Sequence, residues 1–383
     1  MNKPYEWVDQ ADRLKELVDQ WLEQDFVAID TEFVRVRTFF PIPGLIQVAD
    51  AFGCYLVDPI EIHDTSSIRR LLEEEGTVKV LHACSEDVEI FVNHFKAKSR
   101  QLFDTQVAAS VLGLGDSLGY APLVEKLLSI EVSKAETRSN WIQRPLSDNQ
   151  MLYAAQDVIH LYQVYLMQIK ELRIQDRVAW VSEDSQRIVD ANKPTDSQHY
   201  YLKIRQAWQM KGEKLWCLQQ LASWREGQVR RLDIPRSFLI KDALMAEIAS
   251  ACPKTSNDLI KVKGIPEKFI RRYSRDILSI TNQVSDVDKT DYPERIPGPL
   301  KKEASYLFKS AKIFLSRLAE DIGVPASLIS KKKEIESIVM GGLHNGVFQL
   351  TPFYTGWRED PVGAPLLKHL EDCYKAEQQD LDS

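Results

Sequence analysis

The stretch VAIDTEFV, residues 27–34, decides how the first half of the chain is read. In an extended strand alternate side chains point to opposite faces, so Val27 and Ile29 share one face and Asp30 and Glu32 share the other. Two carboxylates that close repel each other unless a cation neutralises them or one holds a proton. A bound metal ion accounts for the pair, and a solvated acidic face on an edge strand is the alternative. Taken alone, the stretch does not choose between them.

Around it the pattern is short and β-like. LIQVAD (45–50) and CYLVDP (54–59) are apolar or alternating runs bounded by Gly, Pro or Asp, and with 26–34 they read as three neighbouring strands. SSIRRLLEEE (66–75) has helical periodicity, VKVLHA (78–83) reads as a strand, and EDVEIFVNHF (86–95) reads as a helix with Val88, Phe91, Val92 and Phe95 at helical spacing. Asp87 stands near the start of that helix, where Ser85 can cap it and the helix dipole favours a carboxylate. A further helix is expected from Ser147-Asp148-Asn149-Gln150, a capping-box pattern, to about Gln168. It carries Tyr153 and, one turn later on the same face, Asp157. A dipole-matched Asp87 and a surface Asp157 are also ordinary features of structure, so each is informative only beside the others.

Beyond residue 175 the strand signals fade, and helices alternate with the turn clusters ANKPTDS, DIPRS and KVKGIP. An internal repeat at an offset of ninety residues pairs Ile234-Pro235 with Val324-Pro325, Phe238-Leu239 with Leu328-Ile329, Trp224 with Phe314, and Ile248 with Ile338. The expected architecture is therefore α/β followed by all-α.

The 383 residues allow two to four domains at about 100 to 200 residues each. The start lacks the apolar core of a signal peptide, and no run of about 18 apolar residues occurs, so a cytoplasmic protein without membrane association is expected. The five cysteines are scattered without a CxxC pair, which points away from disulfide frameworks and thiolate zinc sites. The net charge of −7 is unevenly spread: residues 1–199 are strongly acidic, 200–290 carry a net +7, and the remainder is near neutral. An acidic part suits a site that gathers cations, and a basic part suits one that holds phosphates.

A strand with D-x-E, a later Asp at a helix start and a still later helix with Y-x-x-x-D resemble the tyrosine-bearing branch of the DEDD exonucleases. LHACSED (81–87), FDTQ (103–106), WIQRPL (141–146) and YAAQD (153–157) narrow the resemblance to ribonuclease D, over nearly the whole chain. The resemblance implies a ribonuclease H-like mixed sheet over residues 1–195. Asp30, Glu32, Asp87 and Asp157 would be ligands to two divalent ions, Mg²⁺ or Mn²⁺, and Tyr153 would orient the attacking water. Phe33 at the strand end and Gln47 on the next strand are candidate contacts to the substrate's base or sugar, with core packing as the plain alternative. Trp141 and Arg144 are expected to fix the loop ahead of the last catalytic helix, with phosphate contact as the alternative. His82, His94 and His160 are left out of the site. Cys84 and Asn140 depart from the residues usual at those places, Gly and Asp, which bears on loop geometry and not on the five site residues.

Residues 205–290 resemble the HRDC domain, a small helical nucleic-acid-binding module, and 295–375 would be a second, more divergent copy. The first copy coincides with the basic segment. In it Lys261, Lys263, Arg271 and Arg272 surround the turn Gly264-Ile265-Pro266 and are candidate phosphate contacts. The expected function is a 3′-to-5′ exoribonuclease that releases nucleoside 5′-monophosphates from the 3′ ends of tRNA precursors and other small structured RNAs, with no obligatory protein partner. A DNA 3′-to-5′ exonuclease and an RNA-binding scaffold with an inactive nuclease domain are the competing readings.

Overall fold

The computed structural model describes residues 4–133, 135–192, 196–298, 300 and 304–382. Lys193, Pro194 and Thr195 of the ANKPTDS turn lie outside these. The chain divides into two compact units, one made of Met1–Val34, Ile42–Lys193 and Leu300–Ser383, the other of Arg35–Pro41 and Pro194–Pro299.

The first unit is built on a mixed sheet of six strands: β1 (Glu6–Val8), β2 (Phe26–Val34), β3 (Ile42–Ala49), β4 (Cys54–Val57), β5 (Val78–Leu81) and β6 (Leu102–Asp104), in the order β1-β4-β3-β2-β5-β6. β2 and β3 form an antiparallel hairpin, as do β3 and β4, while β5 and β6 extend the sheet in parallel with β2. The expected trio of neighbouring strands is therefore present. β1 and β6, three residues each, have no counterpart in the sequence reading.

Alternation along β2 splits the core in two. Val27 and Ile29 pack with α1 (Ala11–Trp21), α2 (Ser66–Glu73) and α3 (Ser85–Asn93). Ala28, on the other face, packs with α4 (Thr105–Val111), α6 (Asp148–Ile174) and α7 (Val178–Ala191), while α5 (Tyr120–Leu128) joins α6 in a small side cluster. Helices thus cover both faces, which the crossovers between parallel strands require.

Two helix ends differ from expectation. α6 starts with the Ser147–Gln150 capping box but runs to Ile174, because Leu161, Val164, Tyr165 and Leu172 keep burying the same face. In α3, Ser85 is the first helical residue and not the cap. Cys84 occupies the cap position and makes no side-chain capping bond.

The second unit holds α8 (Glu213–Leu232), α9 (Arg236–Leu239), α10 (Asp242–Ala251), α11 (Ser256–Lys261) and α12 (Glu267–Gln283) around one apolar core. Residues 35–41 join it: Asp233 Oδ1 accepts the backbone N–H groups of Phe39 (2.9 Å) and Phe40 (3.0 Å), and the guanidiniums of Arg230 and Arg236 lie over the Phe39 ring.

The last helices, α13 (Ser305–Ile322), α14 (Ala326–Ile329), α15 (Lys332–Gly342) and α16 (Ala364–Asp382), belong to the first unit. α9 and α14 begin ninety residues apart, as do α10 and α15. Asp233 and Gly323, also ninety apart, both end their helices in the left-handed conformation. The repeat read in the sequence is thus a repeat of helix boundaries. α7 packs on this tail through Trp180, whose ring stacks on Trp357 with centroids 4.1 Å apart.

Candidate active site

The site lies where β2 meets α6. Small residues let the helix approach the sheet, since Ala28 and Ala49 on the strands face Ala154 and Ala155 on the helix, all essentially fully buried. Asp157 is close behind on the same helix and is itself buried. Asp30 and Glu32 follow Ala28 with the same alternation, so they emerge on the face that α6 covers. One oxygen from each of Asp30, Glu32 and Asp157 lies within 4.8 Å of the others.

Asp87 stands outside that group of three and is held from the other side of the strand. Its Oδ1 accepts the Thr31 hydroxyl, so the residue between the two strand carboxylates positions the carboxylate of α3. The turn leading into α3 is pinned by Asp104. Asp104 Oδ1 accepts from the backbone N–H of Ala83 (3.1 Å) and Oδ2 from that of Cys84 (2.8 Å), while Oδ1 also caps α4 through Gln106 (2.8 Å). Ala83 adopts a positive φ of 52°, a turn that these bonds stabilise.

The four carboxylates are buried close enough to repel one another, and both effects favour the protonated forms. Burial and the charge of Asp157 push Asp30 up to about 7, against the pull of the Thr31 backbone N–H. Burial and the charges of Asp30, Asp157 and Asp87 raise Glu32 to about 10. Asp87 rises to about 8 through burial and Asp30, with the Thr31 hydroxyl opposing. Burial lifts Asp157 to about 7, and a hydrogen bond from Tyr153 works against that rise. Asp157 Oδ1 is buried without a hydrogen-bond partner. Hard oxygen donors, mutual repulsion and an orphaned buried oxygen together fit divalent cations.

Tyr153 is half-buried, with its ring 6.2 Å from that of Trp141. Burial and the neighbouring Asp157 hold its hydroxyl above the usual tyrosine range, so it stays a proton donor near neutrality. Trp141 is buried against Gly44, where a Cβ would meet its carbonyl oxygen at 2.5 Å. Arg144 grips Asp58 with Nε at 2.7 Å and Nη2 at 2.6 Å, and Nη2 also reaches the Gly44 carbonyl (2.6 Å). These two residues do fix the loop ahead of α6.

Of the candidate substrate contacts on the sheet, Phe33 sits just beyond a register shift between Glu32 and Phe33 and is half-buried against the core of α1–α3. Gln47 lies opposite Asp30 across the β2–β3 pair but is fully buried, with neither amide atom bonded. Direct contact with a ligand would require its cover to move. Tyr120 escaped the sequence reading: its hydroxyl donates to the Asp157 backbone carbonyl, and no local pattern marks it.

In the second unit Thr255 and Asp258 form a capping box that starts α11, and Gly264 takes a positive φ of 90° at the turn into α12. Lys261, Lys263, Arg271 and Arg272 are all exposed around that turn. Among the described residues no helix is long and apolar enough to cross a membrane.

Comparison with known proteins fits this geometry. Residues 5–172 match the 3′-5′ exonuclease family model, and residues 214–281 match the HRDC domain. Ribonuclease D of Pseudomonas paraeruginosa is 36% identical over 370 residues, which cover 96% of this chain and 98% of that protein. The chain belongs to the ribonuclease D family. Ribonuclease D of a Shewanella strain is 34% identical, with 95% of this chain and 94% of the relative covered. The crystal structure of Escherichia coli RNase D, described as an exoribonuclease involved in structured RNA processing, superposes with a TM-score of 0.89 at 27% identity, covering 97% and 99% of the two chains. The mixed sheet and helical remainder expected from the ribonuclease D resemblance are thus those of the family.

Proposed function

We propose that this chain is a metal-dependent hydrolytic 3′-to-5′ exoribonuclease of the cytoplasm. It would release nucleoside 5′-monophosphates while trimming tRNA precursors and other small structured RNAs. The observation that carries the reading is the convergence of Asp30, Glu32 and Asp157, with Asp87 held beside them by Thr31, inside a ribonuclease D family fold.

Asp30, Glu32, Asp87 and Asp157 are the residues that would hold two divalent ions, Mg²⁺ or Mn²⁺. Bound there, the ions would lower the pKa of the attacking water and offset charge on the scissile phosphate. The carboxylates serve as ligands, since an ionised group committed to a cation is a poor proton acceptor. The protonated Tyr153 hydroxyl holds and aligns that water. Trp141 and Arg144 keep the loop before α6 in place, and the loop keeps Tyr153 in place.

The exposed Lys261, Lys263, Arg271 and Arg272 of the HRDC domain would contact RNA phosphates. The repeated helix boundaries of α13–α15 support reading 295–375 as a second, divergent HRDC-like copy, and the α7 contacts give it a structural role against the nuclease fold.

The test uses the purified full-length chain with 5′-labelled RNA and DNA oligonucleotides of one sequence, with Mg²⁺, with Mn²⁺ or with chelator. RNA shortened stepwise from its 3′ end, only with metal, is expected, and Asp30→Asn or Asp157→Asn should abolish it. Undiminished cleavage by those variants overturns the ligand assignment. Cleavage of DNA alone overturns the choice of substrate.

A further inference from the structure

We infer that the second unit carries a further phosphate-binding site, distinct in sequence from the α11–α12 turn, in the cavity between the Ser197–Lys203 segment, α8 and the α9–α10 junction. The cavity measures about 360 Å³, and Lys203, Arg225, Arg236, Ser237, Lys241 and Asp242 line it. Four cations thus face one carboxylate.

The ion pairing leaves positive charge over. Arg225 is buried, its Nη1 donates to Asp242 Oδ1 (2.5 Å) and the Ile240 carbonyl (3.2 Å), and its buried Nε has no acceptor. Arg236 must share Glu226 with Arg230, at 2.7 Å and 3.0 Å, so two guanidiniums answer one carboxylate. Lys203, whose Nζ lies 4.9 Å from the Tyr200 ring centroid, and Lys241 are exposed, and neither makes an ion pair with a described residue. A concave, partly apolar wall focuses such an excess, and the ligand that answers several separated donors at once is a group with several anionic oxygens.

The ligand class is the phosphodiester of an RNA chain, an assignment that rests on the proposed ribonuclease reading. Ser237 adds a neutral donor beside the cations. Lys261, Lys263, Arg271 and Arg272 take no part in the cavity, so the unit would hold RNA at two separate places along its sequence.

The experiment measures fluorescence anisotropy of a labelled oligoribonucleotide with the full chain in EDTA, where cleavage is not needed. The double variant Lys203→Glu/Lys241→Glu is expected to bind at least about tenfold more weakly. Its log–log salt slope should fall by about 1.4, from two lost contacts at roughly 0.7 each on a single strand. Lys203→Arg/Lys241→Arg should bind like the parent. Lys289→Glu, an exposed charge reversal in the same unit but outside the cavity, controls for the general field. Parental affinity and slope in the double Glu variant, or a loss no larger per charge than that of Lys289→Glu, overturns the site. The readouts separate the two readings: a parent that binds RNA through these lysines yet never cleaves it sinks the catalytic proposal alone. A parent that cleaves while binding ignores them sinks the cavity alone.

Discussion

Arg358 holds both carboxylate oxygens of Asp184, Nη1 to Oδ1 and Nη2 to Oδ2, each at 2.6 Å and both residues buried. Trp357 Nε1 donates to the same Oδ1 (3.3 Å), and Arg358 Nε donates to the Leu328 carbonyl (3.0 Å). The C-terminal helices are thereby fastened to α7 by a bidentate, fully partnered ion pair.

Removing one member of such a pair leaves the other charge buried and alone. Arg358→Met is therefore expected to destabilise the first unit by about 3–5 kcal/mol, whereas Asp184→Leu/Arg358→Met should recover most of that loss. Urea denaturation of the parent, both single variants and the double variant gives the coupling directly. Additive losses would show that the pair contributes no interaction of its own.

The four site carboxylates bind protons more tightly in the fold than in the unfolded chain, with values raised to between about 7 and about 10. Their contribution to stability is thus fully present below about pH 4 and is lost as pH rises through those raised values. Metal-free parent, compared with Asp30→Asn/Glu32→Gln, should lose melting temperature as pH rises through about 7 to about 10, by about 2–4 °C per kcal/mol of repulsion. Mn²⁺ should reverse the loss, more strongly at the higher pH, and only in the parent. Differential scanning fluorimetry at several pH values, with EDTA and with Mn²⁺, measures both. A parent–variant difference that stays constant with pH would contradict the charge cluster.

Replacing Tyr153 with Phe keeps the ring against Trp141 and deletes the hydroxyl that hydrogen-bonds Asp157 and that we propose orients the attacking water. A fall in kcat of about 10²–10³ is expected, with KM little changed. Asp157 loses the hydrogen bond that lowers its pKa, so the pH midpoint of metal binding should move upward. Single-turnover kinetics with saturating metal, together with a pH series of Mn²⁺ affinity, test the two parts. A variant with parental kcat would remove Tyr153 from the reaction.

The alternation in VAIDTEFV was enough to place Asp30 and Glu32 together, because strand period two leaves no other arrangement of that run. The capping box at Ser147 and the spacing from Tyr153 to Asp157 were equally local signals, and both are present in α6. What stayed hidden depends on partners far along the chain. Thr31 reads as filler between two carboxylates until Asp87 arrives, 56 residues later, to accept its hydroxyl. Tyr120 meets the Asp157 carbonyl from another helix, and Asp104 meets the Ala83–Cys84 turn from another strand. Gln47 reads as a polar handle because composition cannot show that the fold buries it completely. β1 and β6 are too short to raise a periodic signal.

Residues 35–41 leave the sheet between β2 and β3, and Phe39 and Phe40 take their backbone partner 194 and 193 positions away, at Asp233. A single cut after the sheet therefore parts residues 35–41 from the helices they pack with. A fragment ending near residue 193 would strip Phe39 of Arg230, Arg236 and Asp233 and discard the Arg358 anchor of α7. It would leave the Phe39 ring bare on the loop that follows β2. Shortened forms of this chain would be expected to clump or lose activity for reasons unrelated to how they grip RNA, so point substitutions and not truncations are the sound way to dissect it.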